Sequence, residues 1–263
     1  RAIAAQGQAR NDVAIFADIA DALGVRERYT EQRDEGAWLR HLYDTARAGW
    51  TAAGVETPDF DGFWDAGYLE FTPPDRPFVL FEGFRADPYA EPLNTPSGKV
   101  ELYSETIAGF GYDDCPGHPV WREPKEWLGA AEAARFPLHL LSFQPATRLH
   151  GQLDQGRVSL ASKVAGREPI LIGPAEAAAR GIETGDVVRI FNDRGACLGG
   201  AVVTEGILPG VVAMATGAWL DPLDPGAPGA LCVHGNPNVL TRDEGTSRLG
   251  QGPVAQSCLV QIE

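Results

Sequence analysis

Gly185-Asp-Val-Val-Arg-Ile-Phe-Asn-Asp-Arg-Gly195 is the stretch that decides the fold. Val187 to Phe191 is a short β-branched and aromatic run, with Gly185-Asp186 before it and Asn192-Asp-Arg-Gly195 after it. Such runs between turn residues form strands. Working outward, a strand is expected near Cys197 to Thr204, and Leu208-Pro-Gly210 turns the chain into another, Val211-Val-Ala-Met-Ala215. Upstream, Leu138-His-Leu-Leu-Ser142 and Ile170-Leu-Ile172 have the same character, and Ser257-Cys-Leu-Val-Gln-Ile262 is the last. Pro174-Ala-Glu-Ala-Ala-Ala-Arg180 reads as a helix of one or two turns, with Pro at its first position and Gly181 past its end. Turn signals spaced by roughly eight to twelve residues indicate a small barrel or sandwich.

Before Phe136 the character differs. Asn11 and Asp12 can cap a helix carrying Val13, Ile15, Phe16, Ile19, Ala20 and Leu23 at helical spacing, with Gly24 as its stop. A second helix is expected from Gly36 to Ala48, burying Trp38, Leu39, Leu42, Tyr43 and Ala46. A third is expected from Phe60 to Tyr68, burying Phe60, Phe63 and Trp64. These stripes read as core. Phe71 to Gly98, with Pro73-Pro74, reads as loops and short strands, and the alternating Lys99-Val-Glu-Leu-Tyr103 as a strand. Gly109 to Leu128 has no period and reads as a connecting segment. The expected fold class is therefore α/β followed by mainly β, divided into 1–135 and 136–263.

Composition narrows the function. The chain has 263 residues, enough for one large domain or two ordinary ones. Its net charge of −14 argues against nucleic acid and anionic membranes as bulk partners. No run of about 18 apolar residues is present, so no membrane insertion is expected. Arg1-Ala-Ile-Ala-Ala-Gln-Gly-Gln-Ala-Arg10 lacks the apolar middle of a signal peptide and an initiating Met, so the chain reads as a fragment or a processed product. Cys115, Cys197, Cys232 and Cys258 form no C-x-x-C pair and read as ordinary thiols. No metal ligation by this chain is expected, because no two His stand with a carboxylate at ligand spacing.

Two polar segments stand out. Ser142 to Arg167 carries Arg148, Arg157, Lys163 and Arg167 against the single acid Asp154, a local reversal of sign. Gln144 and Gln152 flank Arg148 and His150. Arginine suits phosphate oxygens, and Gln and Ser can read a ring edge. A solvated loop is the plain alternative. Cys232 to Cys258 is polar between apolar runs and holds His234-Gly-Asn-Pro-Asn-Val-Leu-Thr241, where Pro237 stiffens the chain between Asn236 and Asn238. A self-capping Asn-Pro turn is the alternative there. Gly217 in Thr216-Gly-Ala-Trp-Leu-Asp-Pro222 permits close backbone approach to a ligand, while Trp219 can cover a ring or plug a barrel end. No nucleophile elbow, P-loop or dinucleotide glycine motif is present, and no group is an obvious general base, so no catalytic residue is assigned.

These residues resemble the carboxy-terminal part of the dimethyl sulfoxide reductase family of molybdenum enzymes, in its biotin sulfoxide and trimethylamine N-oxide reductase branch. The resemblance is carried by Thr95 to Asp114, by Arg148-Leu-His150 with Gln152, by Gly217-Ala-Trp219 and by His234 to Thr241, in that order along the chain. It implies a six-stranded double-psi β-barrel from about Phe136, preceded by a helical remnant of the family's α/β domains. It implies molybdenum bis(molybdopterin guanine dinucleotide) as cofactor and oxygen-atom removal from a small S-oxide or N-oxide. By position, Ser142, Gln144, Arg148, Leu149, His150 and Gln152 would border one dinucleotide. Gly217, Ala218 and Trp219 would border the pterin region, and His234 stands with Asn236 and Asn238, whose amides would meet pterin or guanine edges. The sequence departs from the branch at Gln144, where His is frequent, and at Gly151, where Ser is frequent. The branch's serine ligand to molybdenum lies in an amino-terminal portion, which would be this chain's partner. The isolated chain is accordingly expected to be inactive, and a non-catalytic nucleotide-binding or interaction module is the alternative. A soluble protein of the bacterial cytoplasm or periplasm fits either reading.

Overall fold

The computed structural model describes residues 3–73 and 75–263; Arg1, Ala2 and Pro74, the second of the Pro73-Pro74 pair, lie outside the described residues. The chain separates into two compact units, one running to Arg85 and one from Ala86 to Glu263.

The first unit is helical. α1 (Asp12–Ala22) follows Asn11, and a short α2 (Arg26–Thr30) comes next. α3 (Glu35–Ala52) runs four residues past its expected end, and Asp34 caps its start by accepting from the Ala37 amide at 2.8 Å. Asp59 caps α4 (Phe60–Ala66) in the same way, from the Gly62 amide at 2.9 Å. Side-chain caps satisfy amides that have no partner within the helix. Tyr43 centres the aromatic cluster. It stacks on Phe63 at 4.7 Å, meets Phe60 edge-on, and its hydroxyl donates to the Pro58 carbonyl at 2.7 Å.

Two expectations fail before the barrel. Phe16, Ile19, Leu23, Leu39, Leu42 and Trp64, read as core, are exposed. The unit's short helices offer one another too little surface to cover every stripe, and Ala17, Ala20 and Tyr43 take the buried places. No strand forms before Leu138 among the described residues. Phe71 to Gly98 holds a short helix, α5 (Glu82–Ala86), instead. The Lys99–Tyr103 alternation finds no ladder partner. A turn precedes it, in which Leu93 N donates to Gly98 O at 2.9 Å and the Thr95 hydroxyl to Lys99 O at 2.7 Å, and α6 (Glu105–Gly109) follows under a Ser104 cap.

The second unit is built on a barrel. Its strands are β1 (Leu138–Phe143), β2 (Pro169–Ile172), β3 (Val187–Asn192), β4 (Gly195–Val203), β5 (Val211–Ala215) and β6 (Cys258–Ile262). They close in the order β1-β5-β2-β4-β3-β6. β1 and β5 run parallel, as do β2 and β4; the other four neighbouring pairs are antiparallel. α7 (Arg157–Ala161) lies between β1 and β2, and α8 (Pro174–Ala178) between β2 and β3. Leu138, Leu140, Ile170, Ile172, Ile190, Val212, Met214 and Val260 fill the interior. Closure leaves no free sheet edge.

The division expected at 135/136 falls inside this unit. The segment from Ala86 belongs with the barrel because its side chains are bonded into it. Glu126 holds Arg194 through contacts of 2.6 and 2.9 Å and also accepts from the Leu259 amide at 2.9 Å. The Phe136 ring packs edge-on against Phe191.

Candidate functional site

Register decides where the polar segments go. Phe143 at the end of β1 pairs with Ala215 at the end of β5. Ile170, near the start of β2, pairs with Met214, and Pro169 pairs with Gly200 in β4. Asn192, the last residue of β3, faces Gly195, the first of β4. Leu140 pairs with Cys258, the first residue of β6. The final residues of β1, β3 and β5 and the first residues of β2, β4 and β6 therefore lie at one end of the barrel. That mouth carries the connections 144–168, 193–194 and 216–257. Every residue expected to border a cofactor lies in one of these connections, or in Ser142 beside them.

Within the mouth, 148–154 docks directly on 216–219. Gly217 has φ +87°, and a Cβ there would stand 2.1 Å from the His150 carbonyl oxygen, so the two backbones touch. The Trp219 indole donates to Gly151 O at 2.7 Å, which fixes its ring although the side chain stays exposed. His150 and Leu153 hold left-handed backbone, at φ +50° and +59°. Non-glycine residues in that region cost ~1–3 kcal/mol and persist only when their surroundings dictate the conformation.

Those surroundings are a buried ion cluster. The Arg148 side chain is 0% exposed. Its guanidinium reaches Glu168 at 3.2 and 3.3 Å and Asp154 at 3.4 Å. It also donates to His150 O at 3.0 Å and Thr216 O at 2.9 Å, tying both connections together. The Lys163 ammonium meets Asp154 at 2.7 Å and also contacts Glu168. Asp154 in turn accepts from the Trp219 amide at 3.0 Å and contacts His234 Nε2 at 2.8 Å. Burial pushes the Asp154 carboxyl upward, but Lys163, the Trp219 amide and His234 outweigh it and hold the group well below the usual carboxylate range.

This narrows the expectation of a locally basic loop, in which four bases stand against two acids once Glu168 is counted. Arg148 and Lys163 are cancelled by Asp154 and by Glu168, which lies one residue beyond the segment read as basic. The Arg148 fork is occupied by carboxylates and carbonyls rather than turned toward solvent. Asp154, Lys163 and Glu168 went unrecognised as a unit. Extending the window by one residue, to Glu168, would have shown a second acid able to face Arg148 and Lys163.

The other expected residues divide. Ser142 is half-buried, and its backbone is clasped by the Gln256 carboxamide, which accepts from its amide at 3.1 Å and donates to its carbonyl. Gln144, Leu149, His150, Gln152 and Asn238 are exposed at the mouth, and Ala218 is buried. Asn236 accepts from the Asn238 amide at 2.9 Å, the self-capping arrangement of an Asn-Pro turn. Three cysteines, Cys197, Cys232 and Cys258, are buried and all four are free. Burial pushes the Cys258 thiol up to about 11 and raises Cys197 also. Among the described residues no group of three or more His, Cys, Asp or Glu is arranged to hold a metal ion, and no helix is long and apolar enough to cross a membrane.

Residues 138–259, from the first strand of the barrel into the last, match the molydopterin dinucleotide binding domain. Outside the barrel the likeness continues. A dimethyl sulfoxide/trimethylamine N-oxide reductase of Cereibacter sphaeroides is 46% identical over 257 residues, 97% of this chain and 31% of that protein. Trimethylamine-N-oxide reductase 1 of Escherichia coli K12 is 48% identical over 261 residues, 98% of this chain and 31% of that protein. Biotin sulfoxide reductase of Cereibacter sphaeroides is 46% identical over 264 residues and is 35% covered. The chain thus spans about a third of the length of these relatives and corresponds to their C-terminal part. Acetylene hydratase from Pelobacter acetylenicus shares the fold, with a TM-score of 0.69 at 18% identity over 98% of this chain and 33% of that one. The mouth of this barrel offers amides, hydroxyls and one exposed indole, while its internal charges are mutually neutralised. Such a lining suits a large polar ring system approached through hydrogen bonds and close backbone contact.

Proposed function

We propose that this chain is the dinucleotide-clasping part of a molybdenum oxidoreductase that reduces an S-oxide or N-oxide, with molybdenum bis(molybdopterin guanine dinucleotide) as cofactor. The observation that carries the reading is the gathering of both polar connections at one barrel end. The residues present fit the group. The left-handed backbone at Gly217 lets the 148–153 loop close onto the 216–219 turn, and the fixed Trp219 indole offers an open face. Gln144, Gln152 and Asn238 are exposed hydrogen-bonding groups at the same mouth. Ser142, Leu149, His150, Ala218, His234 and Asn236 complete the border. Arg148 acts behind it, by holding the His150 and Thr216 carbonyls. When bound, the cofactor supplies the oxygen-atom transfer; the chain supplies binding and orientation.

The metal ligand and the rest of the cofactor cleft would come from an amino-terminal portion of the same enzyme, in the cytoplasm or periplasm of a bacterium. The chain alone then turns over no oxide. Metal analysis and mass spectrometry of the natively purified protein test the reading. Molybdenum, pterin and guanine nucleotide should co-purify with it, and absence of all three would refute it. A second reading, a non-catalytic guanine-nucleotide module, is favoured by one observation: the barrel closes within this chain. Nucleotide retained without molybdenum or pterin would select it.

A further inference from the structure

Asp154 is fully buried, yet it sits directly behind exposed side chains of the mouth, Leu153 at 78%, Leu149 at 62% and Trp219 at 56%. Its two oxygens serve three separate stretches of chain. Oδ2 accepts from the Trp219 amide at 3.0 Å and meets His234 Nε2 at 2.8 Å. Oδ1 meets Lys163 at 2.7 Å, and the Ser159 hydroxyl and the Arg148 Nε at 3.4 Å. An apolar cluster of the same volume would serve stability as well or better, because burying four charges carries a large desolvation cost. Apolar contacts, however, do not fix the direction of an amide and an imidazole. Directional bonds from one rigid carboxylate do.

We propose that Asp154 is a positioning residue, which holds the 148–153 loop, the 216–219 turn and His234 in a single arrangement so that the face offered to the guanine dinucleotide is formed before the ligand arrives. Lys163, the Trp219 amide and His234 keep that carboxylate ionised, and Arg148 and Lys163 hold it in place. Preforming the face removes the cost of ordering two loops on binding. The ligand in this statement rests on the cofactor reading above; the arrangement itself does not.

The test uses the 263-residue chain and the double variant Asp154→Leu/Lys163→Met. This variant leaves Arg148 facing Glu168 and exchanges two buried charges for apolar groups, a change that commonly preserves stability. Three readouts are taken: thermal unfolding, hydrogen exchange at backbone amides and the Trp219 indole, and calorimetric binding of GDP as the probe. The melting temperature should hold, and amides of Ile170, Ile190 and Val212 should stay protected. Exchange at the Trp219 amide and indole should rise by about tenfold or more. GDP affinity should fall by about tenfold. Unaltered exchange at Trp219 in the folded double variant overturns the proposal, as does unaltered GDP affinity where the parent chain binds GDP. If the parent chain binds no GDP, the cofactor reading suffers and exchange alone judges Asp154. Should the double variant not fold, Asp154→Asn, which keeps the shape and one acceptor, is judged by the same readouts and should fall between the two.

Discussion

Gly217→Ala is the sharpest perturbation of the mouth. The substitution does two separable things. It places a side chain at φ +87°, which costs ~1–2 kcal/mol for an L residue. It also sets a methyl 2.1 Å from the His150 carbonyl oxygen, against an ordinary contact of at least 3.4 Å. That overlap is with backbone, which the buried Arg148 anchors, so it cannot be relieved by a rotamer change. Forced overpacking of this kind costs ~1–3 kcal/mol. The sum is roughly 2–5 kcal/mol. Gly229 is an internal control, since it has φ +75° but nothing within 4 Å of the place a methyl would take. Gly229→Ala should therefore show the backbone cost alone. Urea unfolding of both variants, followed through the transition in which the barrel melts, gives the comparison. Gly217→Ala should lose at least ~1 kcal/mol more than Gly229→Ala. Equal losses would show that the two connections do not touch in solution, and the docked mouth would have to be abandoned.

Arg148→Ala should destabilise the barrel by about 3–5 kcal/mol, because it leaves two buried carboxylates facing one lysine; Arg135→Ala, which breaks an exposed pair with Asp193, should barely shift the same unfolding midpoint. Acid stability should follow Asp154, whose folded carboxyl is held below its unfolded value of about 3.9. A depressed group contributes in full above that value and loses its contribution as pH falls through the folded one, so the barrel should weaken below about pH 4. The double variant Asp154→Leu/Lys163→Met should show a shallower acid slope in pH-dependent urea titrations, and an unchanged slope would contradict the assignment. A thiol reagent should label Cys115 first under native conditions and reach buried Cys197, Cys232 and Cys258 only on unfolding. Rapid native labelling of more than one thiol would contradict the described burial.

Strands were legible wherever the turn chemistry on both sides was explicit. Val187 to Phe191 lies between Gly185-Asp186 and Asn192-Asp-Arg-Gly195, and β3 forms within a residue of those limits. Lys99 to Tyr103 has the same alternation but no strand within reach to pair with, so local hydrogen bonds around Thr95 and Ser97 set its path instead. Pattern describes what a segment is able to do; pairing decides whether it does so. The mouth was legible as two polar segments but not as one ion cluster. Arg148 and His234 are far apart in sequence and meet around Asp154 only because β1 and β5 run parallel and end side by side. A charge count over one window sees neighbours along the chain, whereas the cluster is assembled by register. The exposed stripes of α1 and α3 show the reverse case, since amphipathic spacing identifies a face without supplying anything to cover it.

Placing 144–168 and 216–257 on one rim leaves the opposite rim with the crossovers 173–186 and 204–210 and the entry of the chain into β1. Glu205 and Gly206 project there, at the tip of the tighter of the two. A tether, dye or affinity handle attached at that tip would hold the molecule by its back. The rim that carries 144–168 and 216–257 would then point away from the surface, the orientation that a surface-immobilised test of GDP binding requires.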